Sequence, residues 1–234
     1  MNLTSEKDGI IFPSDKGEAP SVPADEARER PITVRRFRRE DYEEVVAILA
    51  TSFGSKFHSL TGLSQGEMAA LLGDSGLAGN EPFEGYLVAE VEGKVLGIMV
   101  LRWKGQNRGW SHRNQSFYRL SRRYGFWKVI KLLTAMSIMG GSKVPEGECQ
   151  IEQIGVSPGA RGRGIGRELV DFGSRLVEGK GLRRCSLYVA SSNERAIEFY
   201  RRLGFAVDRE VRSSLTRLLF GERDWYRMVR EIAR

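Results

Sequence analysis

Between Arg161 and Gly166 the chain reads Arg-Gly-Arg-Gly-Ile-Gly, three glycines alternating with two arginines and an isoleucine. Glycine reaches positive φ and places no Cβ in the path of a ligand. The residues before this loop, Cys149 to Val156, read as a strand, and those after it carry a helical pattern, so the loop opens a helix. Unpaired N–H groups and the positive end of the helix dipole gather at such an opening. Arg161 and Arg163 add fixed positive charge. The combination binds a phosphate, and a pyrophosphate best.

Spacing separates the phosphate loops. The dinucleotide fingerprint needs Gly-x-Gly-x-x-Gly, but its third position falls on Arg167 counting from Gly162 and on Leu169 counting from Gly164. The nucleotide P-loop needs Gly-Lys followed by Ser or Thr, and Gly179-Lys180 is followed by Gly181, beyond the helix. Arg-x-x-Gly-x-Gly, at Arg161, Gly164 and Gly166 after a strand ending in Val-Ser-Pro, resembles the acetyl-CoA-binding motif of the GNAT superfamily of N-acyltransferases. Asn193, Ala196, Tyr200, Gly204 and Phe205 stand at spacings similar to that superfamily's second block. The resemblance covers about Ile32 to the C-terminus.

It implies that acetyl-CoA is the cosubstrate and that a primary amine accepts the acetyl group by direct transfer. The implied binding residues are Ile154, Gly155 and Val156 for the pantetheine arm, and Arg161, Gly162, Arg163, Gly164, Ile165 and Gly166 for the diphosphate. In the superfamily two central strands splay apart at a bulge, and Gly155 suits a bulge here. Asn193 holds pantetheine, caps its helix, or does both. Tyr200 matches the family tyrosine that protonates the leaving thiolate; the alternative is packing alone. Glu152 is the candidate base that frees the amine of its proton. With no irregularity between them it shares a side of the strand with Ile154; the alternative is an ion-paired glutamate on a sheet face. Glu148 is a weaker alternative base.

The elements that position these residues follow from periodicity. The 234 residues suit one large domain with extensions. Residues 1–30 are polar, with little apolar periodicity, and are expected to form a flexible tail; residues 31–234 form a single domain. A first strand begins near Pro31. Asp41 can cap a helix with Glu44 three residues on, and Met68, Ala69, Leu71 and Leu72 mark a second helix. The loop expected between the two helices carries Ser55, Lys56, His58 and Ser59. A hairpin turns at Glu92-Gly93. Gly164 to Glu178 buries Ile165, Leu169, Phe172 and Leu176, Cys185 to Val189 is a strand, and Asn193 to Leu203 is a helix ended by Gly204. Phe205–Val207 and Trp225–Val229 are the last strands. The fold class is α/β: a mixed, mostly antiparallel sheet with helices on both faces, the GNAT-like acyltransferase fold.

Composition narrows the rest. Two cysteines, Cys149 and Cys185, fall in strands and read as buried reduced thiols; with two histidines in the chain, no metal site is expected. A cytoplasmic protein is expected, because the N-terminus has no secretory pattern. The net charge is +7, but residues 102–145 hold ten basic and no acidic residues, which leaves 27 basic against 30 acidic elsewhere. The basicity therefore belongs to an insertion at about 104–148, helical from Ser116 to Met139 with a break near Gly125. Three readings stay open for it: a helix packed on the sheet, a wall of the acceptor site, or a surface for nucleic acid or membrane. The last also admits a non-catalytic module, and a homodimer is an allowed partner.

Overall fold

The computed structural model describes residues 31–75, 81–106, 117–131, 134 and 144–232. The tail expected over 1–30, and Ser116 and Met139 of the insertion, lie outside the described residues. Seven strands form one sheet in the order β1-β2-β3-β4-β5-β7-β6. They are β1 (Thr33–Arg36), β2 (Tyr86–Val91), β3 (Lys94–Trp103), β4 (Glu148–Val156), β5 (Arg184–Ala190), β6 (Ala206–Arg212) and β7 (Asp224–Glu231). Every pairing is antiparallel except β4 with β5. The mixed, mostly antiparallel sheet expected from the sequence is the one observed.

Alternation along β2 and β3 gives the sheet two apolar faces. Val88, Ile98 and Val100 join α1 (Tyr42–Thr61), α2 (Gln65–Ser75) and the buried Leu120, Tyr124 and Val129 in one core. Leu87, Ala89, Met99 and Leu101 join α4 (Ile165–Glu178) and α5 (Glu194–Arg202) in a second. Two further helices complete the fold: α3 (Phe117–Tyr124) within the insertion and α6 (Ser214–Phe220) before β7. Gly125 breaks the insertion helix at φ 94°, and residues 126–131 resume it.

Several local expectations are corrected. Asp41 does not cap α1; it ends a 3-10 turn, is buried, and accepts both terminal nitrogens of Arg35 at 2.7 and 2.8 Å and the Arg38 amide at 2.7 Å. Burial alone would raise its pKa, but the Arg35 fork and the amide outweigh it and hold the carboxyl below the usual range. No loop interrupts residues 55–59, because α1 runs on to Thr61 and Gly62 makes the turn; the side chains of Ser55, Lys56, His58 and Ser59 lie outside the described residues. In α4 the buried stripe includes Ile165 and Leu169 but continues through Gly173 and Val177, leaving Phe172 and Leu176 half-buried. A Cβ on Gly173 would collide with Met99 Cε, so the helix closes on the sheet where a side chain is missing. Cys149 and Cys185 are buried free thiols in register on β4 and β5; the Cys185 sulfur, then burial, push the Cys149 thiol up and keep it protonated.

Candidate functional site

The site begins where two parallel strands stop pairing. β4 and β5 are in register only from Glu148–Arg184 to Ile151–Leu187, although β4 continues to Val156 and β5 to Ala190. Past that point they diverge around a cleft of about 630 Å³. Ile154, Gly155 and Val156 line one wall, Leu187 to Ala190 the other, and Tyr200 and Phe199 come from α5. On its far side β4 stays paired with β3, so its cleft edge presents backbone groups with no strand against them.

The irregularity is not at Gly155. Val100 pairs with Gln153 and Leu101 with Ile151, so the extra residue of β4 is Glu152. Gly155 is regularly paired with Ile98, and its missing side chain serves another purpose: a Cβ there would stand 2.9 Å from Ser52 Oγ and 3.2 Å from Ile48 Cγ2 of α1. The bulge also reverses the expected side of Glu152. Ile154 packs with the α4–α5 core, whereas Glu152 lies 2.8 Å from Arg102, whose Nη2 donates to Gln150 at 3.3 Å. Glu152 lines the cleft and is ion-paired, the alternative the sequence left open. The weaker candidate, Glu148, is spoken for: it accepts from Ser186 Oγ and from Arg227, which also holds Asp208. Burial works against the Arg227 charge, but Glu148 and Asp208 outweigh it and keep the guanidinium protonated.

At the cleft mouth, Pro158–Ala160 form a 3-10 turn and the glycine loop follows. Gly162 and Gly164 take φ of 81° and 82°, the left-handed conformation the loop requires. Gly164 precedes α4, whose first bond of this turn runs from the Glu168 amide to the Gly164 carbonyl. The amides of Ile165, Gly166 and Arg167 therefore have no acceptor inside the helix and are aimed out of its N-terminus. The bare Cα of Gly166 faces Phe199, whose Cζ would be 3.1 Å from a Cβ, so this glycine seats α4 against α5. Arg161 folds back, its Nε donating to the Val156 carbonyl at 3.2 Å, which ties the loop to the strand end. Arg161 lines the cleft and Arg163 is not among its lining residues; Arg167 and Arg195 line it instead. Arg167 directly follows the last loop glycine, in the first turn of the helix, and that adjacency was the signal that could have found it.

Asn193 lines the cleft and caps α5, its Oδ1 accepting from the Ala196 amide at 3.2 Å. Tyr200 is buried between Phe199 and Phe205, with ring centroids 5.2 and 5.7 Å away. Burial, with a smaller effect from Cys185, pushes its phenol well above the ordinary value. It is thus a neutral O–H donor on the cleft wall. Among the described lining residues Glu152 is the acidic one, against Arg161, Arg167, Arg195 and Arg202. The cleft thus joins the open edge of β4 to a cationic rim.

Known proteins bear on the same residues. The Acetyltransferase (GNAT) family matches residues 43–205. A mycothiol acetyltransferase of Frankia alni is 30% identical over 180 residues, which cover 75% of this chain and 43% of that protein. That of Corynebacterium efficiens is 29% identical over 123 residues, covering 50% of this chain and 42% of the relative. The chain spans less than half the length of these curated relatives. Among solved structures, PaiA N-acetyltransferase from Thermoplasma acidophilum in complex with coenzyme A superposes with a TM-score of 0.53 at 14% identity, covering 86% of this chain and 99% of that one. Ard1 from Thermoplasma volcanium gives 0.50 at 20% identity, covering 87% and 99%. With the family match spanning both the splayed strands and the glycine turn, the chain belongs to the GNAT acetyltransferase family.

Proposed function

We propose that the chain moves an acetyl group from acetyl-CoA to a primary amine by direct attack, with no acyl-enzyme. The observation that carries this is the divergence of β4 and β5 after Ile151–Leu187, ending at an unblocked helix N-terminus. The diphosphate would take the amides of residues 162–166 with Arg161, Arg163 and, on the geometry, Arg167. The pantetheine arm would add to the open edge of β4 at Ile154, Gly155 and Val156 as a strand does.

In this reading Glu152, held by Arg102, takes the proton from the ammonium directly or through a water. The amine nitrogen attacks the thioester carbonyl, and a β4 amide stabilises the oxyanion. The C–S bond then breaks, its electron pair goes to sulfur, the Tyr200 hydroxyl supplies the proton, and the second proton shed by the attacking nitrogen returns through water to the tyrosinate. Burial leaves the phenol in its O–H form but makes it a weaker acid, so the role rests on its place on the cleft wall and not on its acidity. The acceptor is an amine; the relatives' name does not carry over to a chain spanning less than half of them.

The test is Tyr200→Phe, assayed by release of free CoA with a panel of amines. kcat is expected to fall about a hundredfold, in the range of a lost general acid, with acetyl-CoA affinity by calorimetry unchanged. An undiminished kcat refutes the acid, and absence of acetyl-CoA binding by the parent chain refutes the whole reading.

A further inference from the structure

The outer face of the insertion is built differently from the rest of the surface. Its inner face is anchored: Leu120, Tyr124 and Val129 are buried in the α1–α2 core. Tyr124 Oη donates to Asp74 Oδ2 at 2.6 Å, and Arg123 reaches the same oxygen at 2.8 Å. With α3 pinned to α2 in this way, the break at Gly125 brings Phe126 back against Phe117. Their ring centroids are 5.7 Å apart, edge to face, and Phe126 meets Trp127 the same way at 5.3 Å. These rings lie outside the core: Tyr118 and Trp127 are each 71% exposed, and Phe117 and Phe126 are exposed too.

Exposed cations stand on the same segment, three of them grouped with Tyr118. Arg119, Arg122 and Lys131 are exposed, and Tyr118, Arg119, Arg122 and Arg123 line a surface hollow of about 410 Å³. No acidic residue occurs between Arg102 and Pro145 to offset them. Contiguous exposed aromatics mark a contact surface, and rings with a polar or cationic border suit the boundary between lipid headgroups and acyl chains. Single-stranded nucleic acid needs open ring faces to stack on; here Phe126 is engaged by both neighbours, which makes a wedge and not a row of platforms.

We propose that this face docks the protein on an anionic lipid bilayer, with Phe117, Phe126 and Trp127 in the headgroup boundary and Arg119, Arg122 and Lys131 against lipid phosphates. The attachment is peripheral, since no helix among the described residues is long and apolar enough to cross a membrane. It is independent of the transfer chemistry proposed for the cleft.

The test is co-sedimentation of the full chain with vesicles of phosphatidylcholine alone and of phosphatidylcholine mixed with phosphatidylglycerol, at low and moderate salt. Binding is expected to the mixed vesicles and to weaken as salt rises. Arg119→Ala with Arg122→Ala is expected to lower the partition coefficient about thirtyfold, at roughly one unit of surface attraction per cation. Trp127→Ser is expected to weaken binding without changing its salt slope. All three positions are exposed, and unchanged thermal melts confirm that the variants fold. Sedimentation with neither vesicle, equal sedimentation with both, indifference to the arginine pair, or preferential binding of a single-stranded RNA oligonucleotide each overturns the proposal.

Discussion

Replacing Gly155 by alanine tests the packing that sets one wall of the cleft. The new Cβ would meet Ser52 Oγ at 2.9 Å, closer than carbon tolerates, and Ile48 Cγ2 at 3.2 Å. The serine can turn its hydroxyl away, since its own Cβ is 3.5 Å distant; the Ile48 methyl must give by a few tenths of an ångström. Overpacking of this kind costs about 1–3 kcal/mol, and the loss of glycine's freedom in the unfolded chain returns about 0.4–1 kcal/mol. The net expectation is a loss of about 1 kcal/mol, read as a fall in Tm of roughly 2–4 °C. Ser52→Ala supplies the control. Its Oγ is buried with no hydrogen-bond partner, so removing it alone should be near neutral. In the double variant the closest contact disappears, and a coupling of at least about 0.5 kcal/mol is expected in its favour. Because the added methyl points at α1 and not along the strand edge, acetyl-CoA affinity should change little. A raised Tm for Gly155→Ala, or single effects that simply add, refutes the argument.

Arg227→Met strands Glu148 as a buried unpaired carboxylate and should cost about 3–5 kcal/mol by denaturant melts, most of it regained by adding Glu148→Gln. Asp41→Asn should lose roughly 2–3 kcal/mol at pH 7, because charge-assisted bonds to a buried carboxylate are lost. The folded pKa of Asp41 is depressed, so its stabilisation is present above about pH 4 and disappears as pH falls through the lowered folded value; the melting curves of parent and variant should converge only in strong acid. Glu152→Gln should lower kcat with acetyl-CoA affinity unchanged if the carboxylate is the base; a variant that loses stability at full kcat makes it a structural partner of Arg102 alone.

What the sequence disclosed was local. The positive φ at Gly162 and Gly164, the Asn193 cap and the turn at Gly204 depend on residues within a few positions of one another, and all four stand as read. Helix α6 was equally local and was overlooked, although Ser213 caps it through the Thr216 amide and Gly221 ends it in the left-handed region. The features that escaped depend on partners far along the chain. The bulge moved from Gly155 to Glu152 because register is set by β3, fifty residues earlier, where Val100 and Leu101 face Gln153 and Ile151. The Glu148–Arg227 pair joins positions 79 apart, and nothing near either residue announces it. Arg163 and Arg167 were told apart only by the curvature of the loop.

Glu152 and the cleft have one origin. A bulge bends its strand and increases local twist. On β4 the extra residue falls at 152, and pairing with β5 ends one residue before it, at Ile151–Leu187. The bend that unpaired the strands thus opened a backbone edge along the cleft and, in the same step, turned a carboxylate toward Arg102 instead of toward the α4–α5 core. Asp208 repeats the device on β6: it is skipped between Val207–Met228 and Arg209–Arg227, and its carboxylate is turned onto Arg227. In a regular sheet residue 152 would alternate with Gln153 and share the side of Ile154, among apolar side chains where an ionised carboxylate is costly. The irregularity therefore explains why an acidic residue can stand at this position, on the wall of the cleft.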